Sequence, residues 1–231
     1  MSYIKKYPGL RVFSVNFCNQ LTKQTLDYLI TKSQSLEELC IAGIPDMIQE
    51  SLATVICNSR KRLAVVDFSF NPETSFHDKI FTELGTCSQL ESINFFGNSL
   101  IRRHQIDLLS VGERDPETDE PIREVQLMKL QHVNFNQLVL VSDGNVLKLI
   151  DNAPCIKHLE LNGMDLIGEY ALGQIISELK GLKMLQINGT TSISEEKFVE
   201  LRDKHKGRLR LIRNILVQGD PNNNGLEIPL F

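Results

Sequence analysis

The chain has 231 residues, of which 42% are hydrophobic and 23% charged, with a formal charge of −4; this is the profile of an ordinary soluble globular protein. The balance argues against a nucleic-acid binder, which needs a clustered basic face. The N-terminus lacks a secretory-type apolar run, and no stretch of about 20 apolar residues offers a membrane span. Five scattered cysteines without a C-x-x-C pair fit reduced thiols of the cytoplasm, or of the nucleus, better than a disulfide framework or a zinc site.

In chain order, residues 1–9 read as the end of a preceding helix that runs through Pro8 into a strand. The strand "LRVFSVNFC" starts at Leu10, and its apolar pattern returns at Leu36, Leu63, Leu90, Leu130, Ile156, Leu182 and, degraded, at Leu209. The intervals are 26, 27, 27, 40, 26, 26 and 27 residues. A second set of apolar anchors (Leu26, Leu52, Ile80, Ile106, Val146, Leu172 and Phe198) follows each head by 16 or 17 residues. Around them the period turns helical, as in Val146/Leu149/Ile150 and Leu172/Ile175/Ile176/Leu179. Thr22, Ser75, Ser142 and Ser194 are the predicted N-caps, Ser75 with Asp78 three residues on.

Each unit is thus a short strand, a loop, a helix and a return, and no unit closes a core alone. Stacking places the strands in one parallel sheet, with the helices outside and the apolar anchors between. The period predicts a single domain over 1–231.

One interval is broken. The excess of the 40-residue unit falls in 110–127, where Glu113, Asp115, Glu117, Asp119, Glu120 and Glu124 face only Arg114 and Arg123. Insertions in repeat proteins appear as loops on one face, often a functional one. This acidic loop is either a solvated insertion or a contact for a basic partner, and the repeat spacing on both sides predicts that replacing 112–123 leaves the fold intact. Around Leu209, the cations Lys204, Lys206, Arg208, Arg210 and Arg213 read as a solvated last turn and edge. The tail 215–231 alternates at Leu226, Ile228 and Leu230, so it reads as a capping edge strand or as a docking peptide.

The "LxxLxL" strands and the 26–27 residue period resemble the leucine-rich-repeat family over roughly 8–214, and "LRVFSVNFCNQLTKQTLDYL" resembles its cysteine-containing subclass. The resemblance implies an α/β solenoid of about seven to eight repeats, with parallel strands on the concave face and helices on the convex face. It also implies that Cys18 fills the loop position, which later repeats give to Ile44, Asn71, Asn98, Met164 or Thr190. The subclass is common among substrate receptors of ubiquitin ligases, the F-box proteins, although no F-box precedes this array.

On that fold, the residues between the strand anchors face inward. Asp67, Asn94, Phe96, His132, Asn134, Asn136, His158, Glu160, Asn162, Gln186 and Asn188 are the predicted partner-binding set, with Phe96 as the most exposed aromatic. Asn136, Asn162 and Asn188 share one register about 4.8 Å from strand to strand and form a ladder that binds a peptide or bonds to itself and the turn. His132 and His158 are in register too. With Glu160 and Asp67 they raise the question of Zn²⁺, but a flat sheet does not easily converge three ligands, so no metal is assigned and a pH-sensitive polar contact is expected.

No phosphate-binding Gly loop, nucleophile elbow or facing pair of catalytic acids is present, so no catalytic residue and no cofactor are assigned. Arg102 or Arg103 could act as the finger of a Ran-type GTPase-activating protein, the least favoured reading. The expected function is a protein-binding scaffold, receptor-like in a ubiquitin ligase; the alternative is a structural subunit of a large intracellular assembly, or part of a longer chain.

Overall fold

A computed structural model describes residues 9–18, 24, 28, 35–43 and 49–213. The stub 1–8, the anchor Leu26, the cap Thr22, the loop residue Ile44 and the tail 215–231 lie outside them. The described strands are β1 (Val12–Ser14), β2 (Glu38–Cys40), β3 (Val65–Asp67), β4 (Ser92–Asn94), β5 (His132–Asn134), β6 (His158–Glu160), β7 (Met184–Gln186) and β8 (Arg210–Ile212). They alternate with the helices α1 (Gln49–Ser59), α2 (Asp78–Gly85), α3 (Arg103–Val111), α4 (Asp143–Asn152), α5 (Glu169–Glu178) and α6 (Glu195–Lys204). The eight strands form one parallel sheet in strict chain order. The molecule is an α/β repeat solenoid, the class that the period implies.

Each strand is only three residues long because one buried residue (Phe13, Leu39, Val66, Ile93, Val133, Leu159, Leu185 or Leu211) anchors it between two inward-facing neighbours. The next apolar residue turns back into the core. In three consecutive repeats it is Phe68, Phe95 and Phe135, all fully buried, the first two tilted at 6.2 Å and the last two stacked at 6.0 Å. The helices complete the wall with Leu52, Ile80, Ile106, Val146, Leu172 and Phe198, all buried as the second anchor set requires. No helix among the described residues is long and apolar enough to cross a membrane.

Helix starts are fastened locally and to the next repeat. Ser142 N donates to Asn145 Oδ1 (3.0 Å), and Ser194 Oγ accepts from Lys197 N (3.2 Å), so both serines cap as predicted. Asp143 accepts from Gly168 N (2.8 Å), and Glu169 accepts from Ser194 N (2.9 Å), which ties α4 to α5 and α5 to α6. The prediction for Ser75 fails: the cap of α2 is His77, and Asp78 is the first helical residue. The reason is Phe76, which stays in the extended lead-in to bury its ring against Phe68, Phe81 and Phe95.

Cys18 also departs from the resemblance. It is exposed in the terminal repeat, whereas its equivalents Asn71, Asn98, Met164 and Thr190 are buried. There the two asparagines replace a thiol by hydrogen bonds: Asn98 Oδ1 accepts from Asn71 N (2.8 Å), and both amides donate to the Phe68 carbonyl (2.7 and 2.8 Å). The C-terminal cations are not uniformly solvated either. Arg208 donates to the carbonyls of Ile176, Leu179 and Lys180, and Arg213 to those of Thr190, Ile193 and Ser194, so both arginines clamp loop and helix ends. Lys204, Lys206 and Arg210 remain exposed.

The long unit is resolved by a tight hairpin. Helix α3 runs on to Val111, Leu127 is already core, and the acidic residues lie between. Ile122 N donates to the Glu113 carbonyl (2.8 Å), Asp115 N to that of Glu120 (2.9 Å), and Arg114 pairs with Pro121 in an antiparallel bridge. Asp115 accepts from the backbone of Glu117 and Thr118 (2.8 and 3.0 Å). The Thr118 bond and then the Glu117 bond hold its carboxyl below the ordinary range. Glu113, Glu117, Asp119 and Glu120 point to solvent.

This hairpin is pinned to the solenoid by Arg123, whose Nη1 lies 2.9 Å from Oε1 of Glu83, a carboxylate almost fully buried on α2. Beside it, Gln126 N donates to the Gly85 carbonyl (2.8 Å). Replacing 112–123 as a whole would therefore also remove Arg123, a side chain that packs on the solenoid itself.

Candidate functional site

The inward face divides into two halves with different chemistry. In the half formed by β1 to β4, three phenylalanines line up where the strands end. Phe17 and Phe70 lie 5.8 Å apart, and Phe70 and Phe96 meet edge-on at 4.7 Å. Phe17 is 63% and Phe70 41% exposed, whereas Phe96 is half-buried. Phe96 is thus the shielded member of the row, contrary to the sequence expectation, and the two more exposed rings were missed.

Their backbone explains the row. Three residues past each described strand from β1 to β7, the chain turns through the left-handed region: Phe17 (φ 57°), Gly43 (64°), Phe70 (58°), Gly97 (75°), Gln137 (65°), Gly163 (70°) and Gly189 (69°). Glycine takes that conformation freely, whereas for a bulky residue it is a genuine outlier. Aligning the repeats on this turn would have shown Phe standing in place of Gly twice. Gly43 has a second reason to be glycine, since a Cβ there would fall 2.3 Å from the Phe17 ring, which lies over it. Gly43→Ala should therefore displace Phe17 and cost about 1–2 kcal/mol of stability through left-handed strain. Urea melts of the variant test this, and an unchanged midpoint would contradict it.

Glu38 and Asp67 face inward on β2 and β3 of the same half, and Cys40 stands opposite Asp67 in the sheet register. The Cys40 thiol is pushed up to about 11, by burial first and then by the Asp67 and Glu38 carboxylates. Glu37 is occupied, with Arg11 making two bonds to it at 2.8 and 2.6 Å. The Arg11 hydrogen bond, partly offset by desolvation, holds the Glu37 carboxyl below its ordinary range.

Much of the remaining predicted set serves the fold. Asp67, Asn94 and Asn134 each accept, through Oδ1, the backbone N–H two residues on, that of Ser69 (2.9 Å), Phe96 (3.1 Å) and Asn136 (3.1 Å). The ladder closes along the sheet: Asn162 N donates to Asn136 Oδ1 (2.8 Å) and Asn188 N to Asn162 Oδ1 (2.7 Å). Their amide nitrogens reach sideways, Asn136 to Glu160 Oε2 (2.9 Å) and Asn162 to Gln186 Oε1 (3.2 Å). Glu160 and Gln186 are thereby drawn into the same network.

His132 and His158 come together on β5 and β6, with their Nδ1 atoms 3.0 Å apart and ring centroids 4.5 Å apart. Burial first, then His158 and Lys157, push His132 below the usual imidazole range, against an upward pull from Glu91. Among the described residues no group of three His, Cys, Asp or Glu side chains gathers in a metal-binding arrangement; Asp67 and Glu160 do not join the pair. Arg102 is the last residue before α3 and its N-cap, and Arg103 is the first helical residue, its Nε donating to the Leu140 carbonyl (3.1 Å).

No protein-family model matches the chain, and no curated protein matches it. Among solved structures it is similar to a chain in the crystal structure of the yeast Rad7 and Elc1 complex. The identity is 15% and the TM-score 0.36, over 89% of this chain and 74% of that one.

Proposed function

We propose that the chain is a non-enzymatic protein-interaction scaffold, and that the β1–β4 half of its concave face takes an extended segment of a partner carrying Lys or Arg beside apolar side chains. The observation that carries this reading is the exposed row of Phe17 and Phe70 with Phe96, two of whose members occupy left-handed turn positions that favour glycine. Strained residues persist where the surroundings or the function over-determine them. Exposed aromatic rings on the same half of the face as the inward carboxylates of Glu38 and Asp67 offer a basic, apolar segment ring faces at the turns and counter-charges along the strands. Asn94, His132, Asn134 and His158 extend the surface along the groove, and the acidic hairpin is a further contact for a basic partner. The resemblance to the cysteine-containing repeats makes substrate reception in a ubiquitin ligase the finer form of this reading.

A phage-displayed random peptide library panned on the chain should enrich sequences with Lys or Arg next to aliphatic or aromatic residues. Against a synthetic winner, Phe17→Ala and Phe70→Ala should each weaken binding by about 1–2 kcal/mol, as central aromatic anchors do. Lys79→Glu, on the outer face of α2, should change it little. Enrichment of acidic peptides, or binding indifferent to both phenylalanines, would end this reading.

A further inference from the structure

We propose that His132 and His158 form a two-imidazole site for a divalent transition metal, of the Zn²⁺ class, on the concave face. The juxtaposition is the argument. The two residues are cross-strand partners on β5 and β6, and the parallel register fixes their Cα atoms opposite each other. Their Nδ1 atoms are 3.0 Å apart. Two nitrogens bound to a tetrahedral Zn²⁺ at about 2.0–2.1 Å stand about 3.3 Å apart, so binding asks for an opening of a few tenths of an ångström.

The rings meet edge-on at a centroid separation of 4.5 Å and an interplanar angle of 75°, closer than two imidazoles meeting nitrogen to nitrogen in line, so the contact between the two Nδ1 atoms is bent. In the metal-free chain one ring donates its Nδ1–H to the other Nδ1, so the two rings hold different tautomers. On metal binding the donor ring moves its proton to Nε2, and both Nδ1 atoms become ligands with no net change in charge on the rings. Lys157, next to His158, has its ammonium on Gln131 Oε1 at 2.6 Å. On His132 the Lys157 ammonium outweighs the Glu91 carboxylate, so the site relies on its two nitrogen ligands and not on a surrounding negative charge.

Two ligands make a half-site. The remaining positions of the ion open into the groove, where a partner's Cys, His, Asp or Glu would complete them. This inference goes beyond the peptide reading and does not depend on it, because Zn²⁺ alone is the probe.

The test titrates Zn²⁺ into the chain carrying Cys18→Ser and Cys155→Ser, which removes the two exposed thiols, and follows binding by calorimetry and the imidazoles by long-range ¹H–¹⁵N spectra. One ion should bind per chain, and both His132 and His158 should end as Nε2–H tautomers. His132→Ala or His158→Ala should weaken binding by more than the roughly tenfold that loss of even an outer-shell partner costs, and the double variant should lose it. Both side chains lie on the accessible face of the sheet, and a circular dichroism spectrum confirms that the variants fold. Zn²⁺ binding that survives the double variant, that leaves the two tautomers unlike, or that is absent at millimolar metal overturns the proposal. None of these outcomes bears on whether Phe17 and Phe70 hold a peptide.

Discussion

Phe95→Ala should destabilise the chain by about 3–5 kcal/mol, the usual cost of emptying a buried aromatic site. Phe95 is fully buried, and four rings surround it: Phe81 at 5.5 Å, Phe135 at 6.0 Å, Phe68 at 6.2 Å and Phe76 at 6.5 Å. Phe95 belongs to the long repeat and these rings to the repeats on either side of it, so collapse of one wall cannot fill the void without pulling on the next. Phe13→Ala, at a site that keeps 8% exposure, should cost distinctly less. Equilibrium urea unfolding of both variants decides. A loss below about 1 kcal/mol for Phe95→Ala would mean that the residue does not hold the centre of the core.

Arg123→Ala should cost about 2–4 kcal/mol, since removing one partner of a buried ion pair strands the other charge. The figure is set below that of a fully enclosed pair because Arg123 itself is half exposed, and its share of the interaction is screened by solvent. The energetic weight rests on Glu83, whose side chain is 3% exposed. Burial first and the hydrogen bond to Glu83 second push the neighbouring Cys57 thiol up. Glu83→Gln in the Arg123→Ala background should recover much of the loss, because a neutral amide costs less to strand. A Gly/Ser linker over 113–122 that leaves Arg123 in place should melt near the parent, and one that also deletes Arg123 should melt well below it. Equal midpoints for the two linkers would show that the ion pair contributes nothing.

The repeat heads from Leu10 to Leu209, the register of the strands and the buried anchors were legible in the sequence because they depend on local period alone. The one interval of 40 residues was legible for the same reason. What it touches was not: Glu83 and Arg123 are 40 residues apart and sit outside the repeat pattern, so no periodicity couples them. Phe17 and Phe70 escaped because a phenylalanine near a strand reads as core, and only the turn geometry turns it outward. Ser75 misled because the cap preference ignores the deeper demand of Phe76 for the core. The asparagine ladder was visible as a register, but whether its amides face a ligand or each other is a matter of side-chain reach, settled by the bonds from Asn162 and Asn188.

The strictly sequential sheet has a mechanical consequence. Each strand bonds only to the strands before and after it in the chain, so a force applied across the two ends peels the array one unit at a time instead of shearing many bonds together. Each released unit of 26 or 27 residues adds about 90 Å of extended chain at roughly 3.3–3.6 Å per residue. The 40-residue unit adds about half as much again on the same scale. Pulled in an optical trap, the chain should behave as a stepwise extensible tether, with one longer step marking the passage of the acidic hairpin.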